Sequence, residues 1–150
     1  MLSRTTISGT QALLYLALAG EEEPIAPARI GERLGLSPSY MSKIARSFVR
    51  ANILRAWRGA KGGVTLARPP ARITLLEIVE AAQGQLFREA DLDGEPTSKL
   101  CAFHRSMQEL QRAVRATLQG WTLADLAERP CPTMVAAKNV RCLMTGPQGG

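Results

Sequence analysis

Two groups of side chains in this sequence have the types and spacing to do chemistry. Ser37, Ser39, Tyr40, Ser42, Lys43, Arg46 and Arg50 are followed closely by Arg58 and Lys61. Hydroxyl, ammonium and guanidinium groups at that density can bond phosphate oxygens and base edges, which is the chemistry of nucleic-acid recognition. The surrounding charge is one-sided. Residues 33–76 contain no Asp or Glu but nine Lys or Arg, namely Arg33, Lys43, Arg46, Arg50, Arg55, Arg58, Lys61, Arg68 and Arg72. Such a run is an electrostatic footprint for a polyanion; its plainer alternative is a solvated face. The second group is Cys101 with His104, to which Cys131 and Cys142 can be added from the end of the chain. Three thiolates and an imidazole could hold an iron-sulfur cluster or zinc. A thiol switch among the cysteines is a rival reading, and simple packing of Cys101 a third. No nucleophile–base set and no phosphate-binding glycine loop accompanies them, so an enzyme is not expected.

Local rules predict the elements that must position the first group. Pro27 suits the first turn of a helix, residues 28–34 continue it, and Gly35 supplies the left-handed conformation that stops it. Ser37 can cap a second helix with Pro38 in its first turn. Met41, Ile44, Ala45 and Phe48 then fall on one buried stripe, leaving the candidate phosphate and base contacts on the opposite face. After Asn52 the period changes to that of a strand over residues 53–58, a glycine-rich turn over 59–63 that carries Lys61, and a returning strand over 64–66. Two helices, a glycine turn and a basic hairpin, in that order, predict a winged helix-turn-helix whose second helix is the recognition helix.

The 150 residues have a net charge of +6 and enough apolar content for a single core. Residues 1–72 hold 11 basic and 4 acidic side chains, whereas residues 73–150 hold 8 and 9. The basic half is therefore the half with the winged pattern. Arg4 and the apolar residues 12–19 superficially resemble a signal peptide. Polar Ser8, Thr10 and Gln11 separate the charge from the apolar run, however, and the same segment is needed as a first helix beneath the recognition helix. No stretch is long enough to span a bilayer. The expectation is a cytoplasmic protein, in which cysteines stay reduced, bind metal or act in redox chemistry.

The second half reads differently. Thr74 and Glu77 have the spacing of a capping box for a helix over residues 73–82, with Ile78 and Val79 packing inward. Residues 84–99 mix Gly, Pro and charge without a period and read as a loop. Leu100, Phe103, Met107, Leu110, Val114 and Leu118 repeat at spacings of 3, 4, 3, 4 and 4, a seam suited to helix-against-helix packing. A long helix beyond a complete small domain has little of its own subunit to cover it, so the seam predicts a homodimer. Trp121 and Leu123 are expected to pack back before a short helix over 123–128. The predicted plan is mainly α: a winged helix-turn-helix domain over 1–83, a loop over 84–99 in a sensor position, a long C-terminal dimerisation helix with a short helix over 100–128, and a flexible tail over 129–150.

Residues 36–44, Leu-Ser-Pro-Ser-Tyr-Met-Ser-Lys-Ile, and 54–66, Leu-Arg-Ala-Trp-Arg-Gly-Ala-Lys-Gly-Gly-Val-Thr-Leu, resemble the Rrf-two family of bacterial transcription regulators, the family of IscR, NsrR, RirA and CymR. The resemblance runs over roughly residues 3–128. It implies a dimeric repressor or activator on double-stranded DNA, at a palindromic operator, with the recognition helix in the major groove and Arg58 reaching the minor groove. Many members sense iron-sulfur clusters, nitric oxide or redox state through cysteines near residue 100, and Cys101 with His104 resembles the pair that ends their cluster-binding region. In those relatives the loop over 84–99 carries two cysteines; here it carries none. The competing function is a winged-helix protein interaction module that does not read DNA, but such a module has no need of nine cations around one helix and hairpin.

Overall fold

The computed structural model describes residues 2–20, 23–86 and 100–129. Helix α1 (Arg4–Ala19) begins where the Ser3 hydroxyl accepts from the Thr6 amide, and ends at Gly20, whose φ is 59°. Ala12, Leu13, Leu14 and Leu16 are all buried, because α1 touches helices on several sides. The apolar run with a superficial likeness to a signal peptide is thus the central helix of the core.

Helix α2 (Pro27–Leu34) has Pro27 in its first turn and closes on Gly35 at φ 68°. The Leu36 amide reaches back to the Gly31 carbonyl at 2.7 Å. A β-carbon on Gly31 would lie 2.9 Å from the Leu36 carbonyl oxygen and 3.2 Å from Met41 Cβ, so the tight turn into the next helix needs glycine there. Helix α3 (Pro38–Arg50) is capped by Ser37, and its buried residues are Met41, Ile44, Ala45 and Phe48, the predicted stripe. It ends with Asn52 in the left-handed region at φ 56°. There the Ile53 amide bonds Phe48 O at 2.9 Å and the Asn52 amide bonds Val49 O at 3.1 Å, a Schellman closure with Ile53 and Phe48 as its apolar pair.

The wing consists of β1 (Leu54–Trp57) and β2 (Gly63–Leu66), antiparallel with Leu54 opposite Leu66 and Trp57 opposite Gly63. β1 is one residue shorter at each end than predicted, because Ile53 closes α3 and Arg58 enters the turn. Ile25 adds a bridge to Val64 on the outer side of β2. A β-carbon on Gly63 would lie 2.5 Å from the Ile25 carbonyl carbon, which is why β2 opens with glycine.

Helix α4 (Leu75–Gln83) has the predicted capping box of Thr74 and Glu77. Helix α5 (Ala102–Gly120) starts after Cys101, and α6 (Leu123–Glu128) carries a second capping box from Thr122 and Asp125. The two caps lie side by side: the Leu75 amide donates to Trp121 O and the Leu123 amide to Ile73 O, each at 2.8 Å. Leu123 is fully buried, as expected, but Trp121 is 50% exposed. The bridge uses the Trp121 carbonyl and leaves the indole outside. Leu118 packs with Leu76 and Val79 of α4 in a small cluster apart from the main core, with Val114, Leu75 and Leu86 around it. The loop over 84–99 and the tail over 129–150 lie outside the described residues, apart from 84–86 and 129.

Candidate nucleic-acid interface

With the stripe of α3 buried, its other face turns outward. Ser37, Ser39, Lys43, Arg46 and Arg50 are exposed and Ser42 is half-buried. The Ser37 hydroxyl is partly committed, since it accepts from the Tyr40 amide at 3.3 Å as the helix cap. Tyr40 is placed differently from its neighbours. Half-buried, it donates its hydroxyl to Thr5 Oγ1 at 3.3 Å and so ties α3 to α1.

Arg58 and Lys61 stand exposed at the tip of the wing. The tip folds tightly, with the Gly62 amide donating to Gly59 O at 2.9 Å and Gly59 at a φ of 104°. Between wing and recognition helix lies a cleft of about 810 Å³, with Ser42, Arg46 and Arg50 on one wall and Trp57, Gly59 and Gly62 on the other. Trp57, which is not among the contacts predicted from the sequence, also lines this cleft. Its ring is half-exposed, the Arg55 guanidinium sits over it at 4.5 Å from the centroid, and its Nε1 donates to Thr65 Oγ1 at 3.0 Å. The signal was available, because residues two apart on a strand share a face and an Arg readily stacks on an indole. The basic run is also less uniform than its composition suggests. Arg68 is turned inward, its guanidinium taken up by Asn52, Arg72 and Glu77.

The second group of candidate residues sits at the start of α5. Cys101 occupies the N-cap position and its Sγ lies 3.0 Å from His104 Nδ1. The His104 amide and then the His104 ring hold the thiol below its usual value, so the thiolate is favoured. The Phe103 ring meets the imidazole edge-on at a centroid distance of 5.7 Å. Among the described residues no group of three or more His, Cys, Asp or Glu could hold a metal ion. Cys101 and His104 are half of a four-donor set, and Cys131 and Cys142 lie outside the described residues. The donors on hand do not by themselves fit a cluster or a tetrahedral zinc.

Along α5, Phe103, Met107 and Leu110 are 67%, 37% and 54% exposed, and Leu100 and Val114 are half-buried. Leu118, the last residue of the predicted seam, is covered by α4.

Residues 2–129 match the model of the Rrf2 family, described as an iron-dependent transcriptional regulator. The chain belongs to the Rrf2 family. It is 30% identical over 132 residues to protein aau3 of Rhizobium meliloti, covering 85% of this chain and 84% of that one. The structure of CymR, the global cysteine regulator of B. subtilis, superposes with a TM-score of 0.70 at 25% identity, covering 87% of this chain and 98% of CymR. IscR of T. potens gives a TM-score of 0.67 at 26% identity, over 85% and 86% of the two chains. An Rrf2-family transcription regulator with a winged-helix DNA-binding domain is therefore what the α3 face and the wing belong to. The family is one of transcriptional regulators. Among the described residues no helix is long and apolar enough to cross a membrane.

Proposed function

We propose that this Rrf2-family regulator binds a palindromic DNA operator as a homodimer, placing α3 in the major groove and Arg58 in the adjoining minor groove. The observation that carries this reading is that Ser42, Arg46 and Arg50 of α3 share one cleft with the wing, whose exposed tip adds Arg58 and Lys61. Two such faces related by a twofold axis meet successive major grooves about 34–36 Å apart. Selection of bound duplexes from a random library tests it. Inverted repeats with half-sites about one helical turn apart should be enriched, and log affinity should fall with log salt by about 0.9 per phosphate contacted. Weak, salt-insensitive binding without an inverted repeat would sink the proposal.

The same reading gives Cys101 and His104 a sensory part. They stand at the head of α5, whose far end packs on the winged domain through Leu118, so a chemical change at the thiolate is well placed to move that domain. A DNA titration of reduced, oxidised and metal-depleted protein beside Cys101→Ala tests this. Equal affinities throughout would mean that Cys101 does not sense, while leaving DNA binding intact.

A further inference from the structure

Arg68 lies within the basic run, yet it is not among the residues that line the cleft. Its Nε donates to Asn52 O at 3.1 Å, its Nη1 to Arg72 O at 3.1 Å, and its Nη2 to Glu77 Oε1 at 2.8 Å. Each acceptor belongs to a different part of the reading head. Asn52 is the left-handed residue that turns the chain from the recognition helix into the wing. Arg72 ends the 3-10 turn that leaves the wing, and Glu77 is the capping-box residue of α4. The other Glu77 oxygen accepts from the Thr74 amide and hydroxyl, both at 2.9 Å, so the carboxylate is itself held in place. The backbone adds one parallel tie, from the Ala67 amide to Ile53 O at 2.9 Å. A planar guanidinium with donors in a fixed fork can bridge three acceptors at set angles, which an ammonium on a flexible stem cannot.

We infer that Arg68 is a positioning residue for DNA binding, which sets the wing at its angle to the recognition helix without itself contacting DNA. The inference rests on the DNA-binding reading above. Two rigid parts must reach two grooves at once, and a small change in the angle between them takes Arg58 away from its groove while leaving α3 seated. The three bonds join the turn that enters the wing to the turn that leaves it, and so act on that angle alongside the Ile25–Val64 bridge.

The test uses the full chain and its selected operator. Arg68→Gln should lower operator affinity about tenfold, the scale of one lost charge-assisted hydrogen-bond set, and lower the log-log salt slope by no more than Arg58→Ala does, since the only cation withdrawn is Arg58. Arg50→Ala, a phosphate-contact control, should reduce the slope by about 0.9. In an Arg58→Ala background the Arg68 effect should largely vanish, because both changes act through the same wing contact. Arg68→Lys should not rescue. Glu77→Gln, a smaller perturbation, should show the same pattern at lower amplitude and keeps the test open where Arg68→Gln folds poorly. Without DNA, backbone hydrogen exchange in Arg68→Gln should speed up across Asn52 and the wing but not in α1. In the Arg58→Ala background a further slope reduction of about 0.9 on adding Arg68→Gln would make Arg68 a phosphate contact, and additive losses with Arg58→Ala or unchanged exchange in the wing would equally overturn the inference. Failure of wild-type protein to bind any duplex would defeat the DNA-binding reading instead, and the exchange experiment would still decide whether Arg68 holds the wing.

Discussion

The ring of Phe48, on the buried stripe of α3, abuts Gly9 of α1: a β-carbon on Gly9 would come within 2.6 Å of Cζ and 2.9 Å of Cε2. Phe48 is fully buried and cannot swing aside. Glycine inside a helix normally costs about 1 kcal/mol against alanine, but here overpacking by about 1–3 kcal/mol works the other way. Gly9→Ala should therefore destabilise the fold, whereas Gly120→Ala, with nothing within 4 Å of the new carbon, should be neutral or stabilising by up to about 1 kcal/mol. Denaturant unfolding of the two variants decides the sign at each position.

What could be read in advance was local. The stripe from Met41 to Phe48, the stop at Gly35, the cap at Ser37 and the box of Thr74 with Glu77 depend on residues within one or two turns of each other, where spacing alone specifies the contact. Long-range partners left no such mark. Charge composition could not show that Arg68 turns inward, nor could the helical period show that the Tyr40 hydroxyl leaves the reading face for Thr5. The Trp121 indole stays outside because a backbone bridge holds that segment, and backbone bridges have no side-chain signature.

Tyr40 and its neighbours on α3 should consequently behave differently. Arg46→Ala and Arg50→Ala should weaken binding to all duplexes and lower the salt slope by about 0.9 each, since phosphate contacts carry no sequence information. Ser39→Ala and Lys43→Ala should change the preferred sequence. Tyr40→Phe should leave preference unaltered and cost about 1 kcal/mol of stability through the lost bond to Thr5. Competition titrations against a panel of single-base operator variants separate the three behaviours.

The capping box makes stability depend on pH. Burial pushes the Glu77 carboxyl up, but the Thr74 amide, the Arg68 guanidinium and the Thr74 hydroxyl outweigh it and hold the group below its ordinary 4.5. A carboxyl depressed in the folded state stabilises fully above the unfolded value, and that contribution is lost as pH falls through the folded value. Wild type should exceed Glu77→Gln in stability at pH 7, with the difference shrinking below about pH 4.5. Urea unfolding at a series of pH values measures the gap; a gap constant down to pH 2 would show that ionised Glu77 contributes nothing.

The depressed Cys101 thiol should show itself as reactivity. In a Cys131→Ser, Cys142→Ser background, the rate of alkylation by iodoacetamide should rise with pH to a midpoint below the ordinary thiol value of 9.0. The His104 amide is the larger cause and survives side-chain truncation, so His104→Ala should return the midpoint only part of the way. A midpoint unmoved by His104→Ala would mean that the imidazole 3.0 Å from Sγ does not stabilise the thiolate.

The seam of α5 divides into two halves with different fates, and substitution should tell them apart. Phe103, Met107 and Leu110 are exposed along one face of the first half, while Leu118 in the second half packs with Leu76 and Val79 of α4. A charge at Leu110 meets water in the monomer and a facing apolar helix in the proposed dimer, so Leu110→Asp should dissociate the protein without unfolding it. A charge at Leu118 is buried within the subunit and should cost about 3 kcal/mol or more of fold stability. Sedimentation velocity with thermal melting reads both properties on the same samples. A dimeric Leu110→Asp that binds a palindrome normally would move the subunit contact elsewhere; a fully stable Leu118→Asp would mean that α5 is not anchored to the winged domain through α4, and would remove the route by which the head of α5 could report to the recognition helix.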